Sequence, residues 1–169
     1  MKPKTERLLL IFTRNKRTTM AEGYVGIGIF MPRSETNMGT LWRSASLLGA
    51  SFIFTIGRRY QKQSSDTNKS WAQIPLYNYT DFEDFFRHLP YSCQLVGVEL
   101  DEKAVPVEQF QHPERCVYLL GAEDHGLPPT VLSKCHHLVQ LPGKTSLNVA
   151  SAGTVVLYDR HFKKQLGQK

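Results

Sequence analysis

Apolar and polar positions alternate in blocks along this chain, and the blocks carry two different periods. Residues 24–30, 51–56, 94–99 and 116–121 are near-continuous runs of aliphatic and aromatic residues. Runs of that length predict strands buried on both faces. Between them the spacing changes. In 38–48, Leu41, Ala45 and Leu48 recur at i, i+4 and i+7, which predicts a helix with Asn37 as its N-cap and Gly49 as its stop. Residues 81–88 open with acids and carry Phe82, Phe85 and Phe86 at helical spacing, and 128–134 predicts a short helix with proline in its first turn. Residues 74–79 form a short extended piece and 106–110 a single helical turn, while the polar, basic stretch 57–71 is an exposed loop with a short helix near Ser70. The chain closes, over 138–158, on a buried strand, a polar loop holding Pro142, Gly143, Thr145, Ser146 and Asn148, and an apolar helix.

Strands that alternate with helices predict a parallel α/β sheet covered on both faces. In such sheets ligands bind beyond the carboxyl ends of the strands. The loops 31–39, 121–127 and 142–148 all leave strand ends, and the predicted topology puts them on one edge. The last helix begins with Val149, Ala150, Ala152, Val155, Val156 and Leu157 and is apolar around most of its circumference. A sheet on one side and a second subunit on the other would bury it, which predicts a homodimer through this helix.

Composition adds bounds. A chain of 169 residues with 41% hydrophobic content suits one domain, over 24–169, preceded by a basic arm over 1–23, with a transit peptide as the lesser reading of the arm. No apolar run nears the roughly 20 residues of a membrane span, so a soluble protein is expected, with no membrane partner. Cys93, Cys116 and Cys135 are odd in number, lack zinc-type spacing and sit among apolar residues. They read as reduced thiols of a cytoplasmic protein. A net charge of +6 and a pI of about 9.3 favour an acidic partner, nucleic acid before anionic membrane. The cations cluster in the first segment, around Arg58, Arg59, Lys62 and Lys69, and near the C-terminus. Tyr60 and Trp71, beside the middle cluster, are candidates for stacking on unpaired bases, or are part of a solvated loop with one anchored Trp.

Candidate chemistry sits in the strand-end loops. Gly39 lies one turn below Arg43 on the same helix face, so a ligand can approach beneath the guanidinium, and helix N-termini attract phosphate. Each residue also has a plainer reading, Asn37 as a cap and Arg43 as a surface arginine. In Gly121-Ala-Glu123-Asp-His-Gly126 the glycines permit close backbone approach, and Glu123 can order the loop or meet a polar ligand. Asp124 reads as solvated and His125 as an exposed loop histidine. His136 and His137 are adjacent in a strand and point to opposite faces, a poor chelate, so no metal is expected. Ser146 and Asn148 are each candidates to cap the last helix.

Asn37, Gly39 and Arg43, then Gly121, Glu123, Gly126, Leu127 and Pro128, then Leu141, Pro142, Ser146, Leu147, Asn148 and Val149 together resemble the motifs of the SpoU/TrmH branch of the SPOUT RNA methyltransferases, over about residues 24–162. Ala150 departs from the serine common there, and the larger RNA-binding domain of some relatives is expected to be absent. The resemblance implies a SPOUT fold, a parallel α/β sheet with a C-terminal deep trefoil knot. It implies S-adenosylmethionine held by Val98, Glu99, Gly121, Gly126, Leu141, Ser146 and Leu147. It implies ribose 2′-O-methylation of tRNA or rRNA, tRNA favoured, with Arg43, Asn37, Glu123 and Asn148 as catalytic residues and Arg43, Arg58 and Arg59 on the RNA. Arg43 is expected to act as an electrostatic activator, since a guanidinium does not give up its proton near neutral pH. Two other readings are a catalytically silent RNA-binding or assembly protein on the same fold, and a flavodoxin-like nucleotide-binding module, open-sheeted and monomeric.

Overall fold

The computed structural model describes residues 23–60, 73–143 and 145–167. Its strands are β1 (Val25–Phe30), β2 (Phe52–Ile56), β3 (Leu76–Tyr79), β4 (Gln94–Val98), β5 (Val105–Pro106), β6 (Cys116–Leu120) and β7 (His137–Gln140). Its α-helices are α1 (Glu35–Leu47), α2 (Phe82–Arg87), α3 (Pro129–Leu132) and α4 (Val149–Leu166), and Val107–Gln109 is a 3-10 turn. The strands form one sheet in the order β3-β2-β1-β6-β4-β7-β5. Every pairing is parallel.

The pleat divides the core in two. Ile27, Ile29, Val96, Tyr118, Leu120 and Val139 face α1 and α4. Phe52, Phe54, Leu95, Val117 and Leu119 face the other side, with Phe85 of α2 and Val131 of α3. Strands buried on both faces leave no alternation of polar residues, which is why the runs read as continuous. Phe85 stacks on Phe54 at 4.7 Å between ring centroids, so the phenylalanine spacing of 81–88 marks the face α2 buries.

Some boundaries differ from those the spacing predicts. Helix α1 starts at Glu35, one turn before Met38, and its N-cap is Ser34, whose hydroxyl accepts from the Asn37 N–H at 3.2 Å. Asn37 therefore lies inside the first turn and its amide is available for other contacts. Helix α4 runs on to Leu166. Strand β5 follows β4 in sequence but lies beyond β7, and both Val98 and Val105 pair with Val139. The connection over 99–104 thus carries the chain from one side of β7 to the other. The basic arm, the helix near Ser70, Lys62, Lys69 and Trp71 fall outside the described residues.

Under α4, the return from β5 to β6 is pinned by polar contacts. His112 meets the Tyr118 hydroxyl at 2.6 Å through Nδ1 and Asp159 at 2.8 Å through Nε2. Burial drives the Tyr118 phenol well above its ordinary pKa, so it keeps its proton and donates to Nδ1, while Nε2–H donates to Asp159. Lys163 bonds Asp159 at 2.7 Å and the Phe110 carbonyl at 3.1 Å, and the buried Arg160 donates to the Glu114 carbonyl at 2.7 Å.

Candidate active site

Because β1, β6 and β7 run in parallel, their carboxyl ends share one edge of the sheet, and the turns that leave them converge there. A cavity of about 480 Å³ opens at that edge. All of Val98, Glu99, Gly121, Gly126, Leu141, Ser146 and Leu147, the residues expected to hold a cofactor, line it, as do Glu123 and Asn148.

Asn37 joins the turns. Its Nδ2 donates to Glu123 Oε1 at 2.9 Å, and its Oδ1 accepts from Asn148 Nδ2 at 3.0 Å. One amide thereby ties the first turn of α1 to the turns after β6 and β7. Asn148 is also the N-cap of α4, accepting from the Ala150 and Ser151 N–H groups at 3.0 and 3.3 Å. Its two predicted roles, cap and site residue, use different ends of the same side chain. Ala150 is buried at the helix start, which Asn148 caps without help from a serine there. Ser146 lines the cavity and does not cap α4.

Burial acts to raise the Glu123 pKa, but hydrogen bonds from the Asn37 amide and from the backbone of Glu123, Arg33 and Ser34 outweigh it and hold the carboxyl below the ordinary glutamate value. Glu123 is therefore an ionised acceptor near neutral pH. Glu99 is turned inward. Its carboxylate accepts from the Leu127 N–H at 2.7 Å and the Leu100 N–H at 3.0 Å, bracing the turn at Gly126. Gly126 has φ +62°, and a Cβ on Gly121 would lie 2.4 Å from the Gly126 backbone, so the turn closes on itself only with glycine at both places.

Arg43 is exposed and does not line the cavity. Six residues past Asn37, it lies about 9 Å farther along α1. Tyr60 packs edge-on against Trp42, with centroids 5.8 Å apart, rather than standing free as a stacking platform. A Cβ at Gly39 would lie 3.7 Å from the Tyr60 hydroxyl, so the turn bearing the exposed Arg58 and Arg59 borders the same side of α1 as Gly39. Asp124 is not simply solvated, since it forms an ion pair with Arg33, a residue that no spacing singled out. His125 lines the cavity and is exposed. His136 accepts from the Leu95 N–H at 2.9 Å, and His137 bonds Gln94, so both histidines contact the start of β4. No group of His, Cys, Asp or Glu among the described residues is arranged to hold a metal ion.

The cavity suits S-adenosylmethionine in size and chemistry. Its volume falls within the roughly 300–1,000 Å³ of small-molecule sites. Val98, Leu100, Leu120, Leu141 and Leu147 offer apolar walls, Thr145 and Ser146 offer hydroxyls, and Glu123 and Asp124 offer negative charge to a cationic ligand.

Known proteins resemble this chain in sequence and in fold. The chain is 27% identical over 132 residues to a 23S rRNA (guanosine-2′-O-)-methyltransferase, RlmB, of Acinetobacter baylyi, covering 73% of this chain and 53% of that one. It is 22% identical over 141 residues to a mouse tRNA (guanosine(18)-2′-O)-methyltransferase, TARBP1, covering 78% of this chain and 9% of that one. The chain thus spans about half the length of the bacterial relative. Among solved structures, the SpoU methyltransferase AviRb from Streptomyces viridochromogenes in complex with AdoMet superposes with a TM-score of 0.75 at 26% identity, over 89% of this chain and 64% of that one. The model of the SpoU rRNA Methylase family matches residues 25–158, a span that contains all three convergent turns, and this chain belongs to that family.

Proposed function

We propose that this chain is an S-adenosylmethionine-dependent methyltransferase acting on the ribose 2′-hydroxyl of RNA, with tRNA preferred over rRNA. The observation that carries the reading is the placement of Asn37, bonded at once to Glu123 and Asn148 at the mouth of a cavity sized for the cofactor. The AdoMet complex of a relative with the same fold supports the cofactor, and rRNA- and tRNA-methylating relatives support the substrate class.

S-adenosylmethionine, when bound, supplies a methyl group carried on a sulfonium. The protein supplies position and field. Asn37, held from both sides, fixes the Glu123 carboxylate and the start of α4 relative to one another, and orientation of this kind accounts for much of the rate in a transfer reaction. Arg43 faces solvent on α1, beside the turn that carries Arg58 and Arg59, where an RNA strand would run. There it would contact a phosphate of the reacting nucleotide and, as a positive charge, ease loss of the 2′-hydroxyl proton to solvent as the methyl group is taken up.

The same reading includes a C-terminal trefoil knot, a homodimer and a cytoplasmic setting. In support of the knot, the 99–104 connection straddles β7, and α4 then returns to pack on α1 and β6. In support of the dimer, Val155, Tyr158, Phe162 and Leu166 form an exposed apolar stripe along α4. Three free thiols, Cys93, Cys116 and Cys135, suit a reducing compartment.

Transfer of tritiated methyl from S-adenosylmethionine to unfractionated tRNA and to rRNA, followed by mapping of alkali-resistant dinucleotides, tests the proposal. Label in alkali-resistant tRNA dinucleotides is expected, and label confined to bases would overturn it. Arg43's position outside the cavity wall favours a second reading, a silent RNA-binding or assembly protein. Titration calorimetry with S-adenosylmethionine separates the two, since a silent protein gives no binding heat.

A further inference from the structure

The cavity mouth has a charge problem. Glu99, Glu123 and Asp124 line it, and no Lys or Arg is among its described lining residues. A ribose brought there arrives with phosphodiesters on both sides, and like charges at close range repel by several kcal/mol at the effective dielectric of a protein surface, about 20. A cation at the rim would ease the seating of RNA there.

Arg33 is held at that rim. It sits in the turn between β1 and α1, which is anchored by the Met31 N–H bonding the Ile56 carbonyl at 2.8 Å and by the buried Pro32. Its own N–H donates to Glu123 Oε2 at 3.3 Å, so its backbone is fixed against the carboxylate that Asn37 also holds. Its guanidinium forms an ion pair with Asp124, with the two side chains 57% and 41% exposed. An exposed pair of this kind adds only about 0–1 kcal/mol to stability, so it is readily exchanged. A guanidinium fork fits a phosphate as well as it fits a carboxylate.

We propose that Arg33 is a substrate-positioning residue that grips the phosphodiester next to the target ribose, exchanging Asp124 for the RNA phosphate when substrate seats. The inference rests on the RNA-methylating reading above. In the absence of RNA, Asp124 holds the arginine at the mouth, and binding replaces one anionic partner of Arg33 with another, leaving the 41% exposed Asp124 side chain to water. Asp124 therefore competes with the substrate for Arg33.

That competition predicts opposite signs for the two partners. Binding of fluorescently labelled unfractionated tRNA is measured by anisotropy over a salt series, without cofactor, for the full chain and for R33Q, R33K, D124N and the double variant R33Q/D124N, and binding of labelled rRNA fragments is measured for the full chain. R33Q is expected to weaken binding roughly three- to tenfold and to lower the slope of log K against log salt by about one. R33K restores the slope. D124N is expected to tighten binding roughly threefold, and the double variant to match R33Q. If the pair only braces the loop, R33Q and D124N move together and the salt slope stays put, which overturns the proposal. If the unaltered protein binds tRNA and R33Q binds equally well, this inference falls alone. If the unaltered protein binds neither tRNA nor rRNA, the functional reading itself falls.

Discussion

Asn37 does more than its position in a helix turn suggests. Serine or asparagine near a helix start is usually a cap, and here Ser34 takes that place. The Asn37 amide then has both ends committed, a donor to Glu123 and an acceptor to Asn148. Asn37→Asp removes the donor and sets a second carboxylate against Glu123. Methyl transfer is expected to fall at least roughly tenfold, with a stability loss of about 1–2 kcal/mol, read by single-turnover assay and thermal melts. Arg43 divides labour differently. Because it lies off the cavity wall, Arg43→Ala should lower kcat roughly a hundredfold and leave the calorimetric Kd for S-adenosylmethionine within a factor of about two. A large loss of cofactor affinity would contradict that division.

Among the elements, α4 carries the most tasks. Its N-terminus is capped by a site residue, its inner face closes the core over β1 and β6, and its last turns hold the 107–115 segment through Asp159, Arg160 and Lys163. His112 is the titrating member of that contact. Burial pushes its pKa below the ordinary 6.5, against the opposing pull of Asp159 and with Lys163 and Arg160 reinforcing the drop. The unfolded chain therefore takes up this proton first as pH falls. The stabilising contribution is complete above about 6.5 and is lost as pH drops through the lowered folded-state value. Melting temperatures measured downward from neutral pH should show this loss, and His112→Gln should flatten the slope in that window.

For the whole molecule, two surfaces matter, the apolar stripe on α4 and the basic turn beside α1. Val155 is 39% exposed on a helix whose other aliphatic residues are mostly buried. The proposed dimer would seal it, so Val155→Asp should weaken self-association at least roughly a hundredfold in sedimentation equilibrium. A soluble, active dimer from that variant would remove the interface. Reversing Arg58 and Arg59 to Glu should weaken tRNA binding and flatten its salt dependence, because phosphate contacts act through counterion release. Indifference to both changes would move the RNA path elsewhere.

The chain's local patterns determined a good deal. Buried strands announce themselves as continuous apolar runs, and the phenylalanines of α2 and the proline at the start of α3 mark those elements by spacing alone. The turns at Asn37, Glu123 and Asn148 were legible as candidates because each combines glycine or small polar residues with a strand end. Tertiary structure decided what those turns do together. The Asn37–Glu123 and Asn37–Asn148 bonds span 86 and 111 residues. Hydrophobic periodicity reports which face of an element is buried and says nothing of which distant partner buries it. For the same reason no spacing revealed β7 lying between β4 and β5, the His112–Tyr118–Asp159 contact under α4, or Arg33 meeting Asp124. Those depend on the parallel sheet order, which is set when the whole core packs at once.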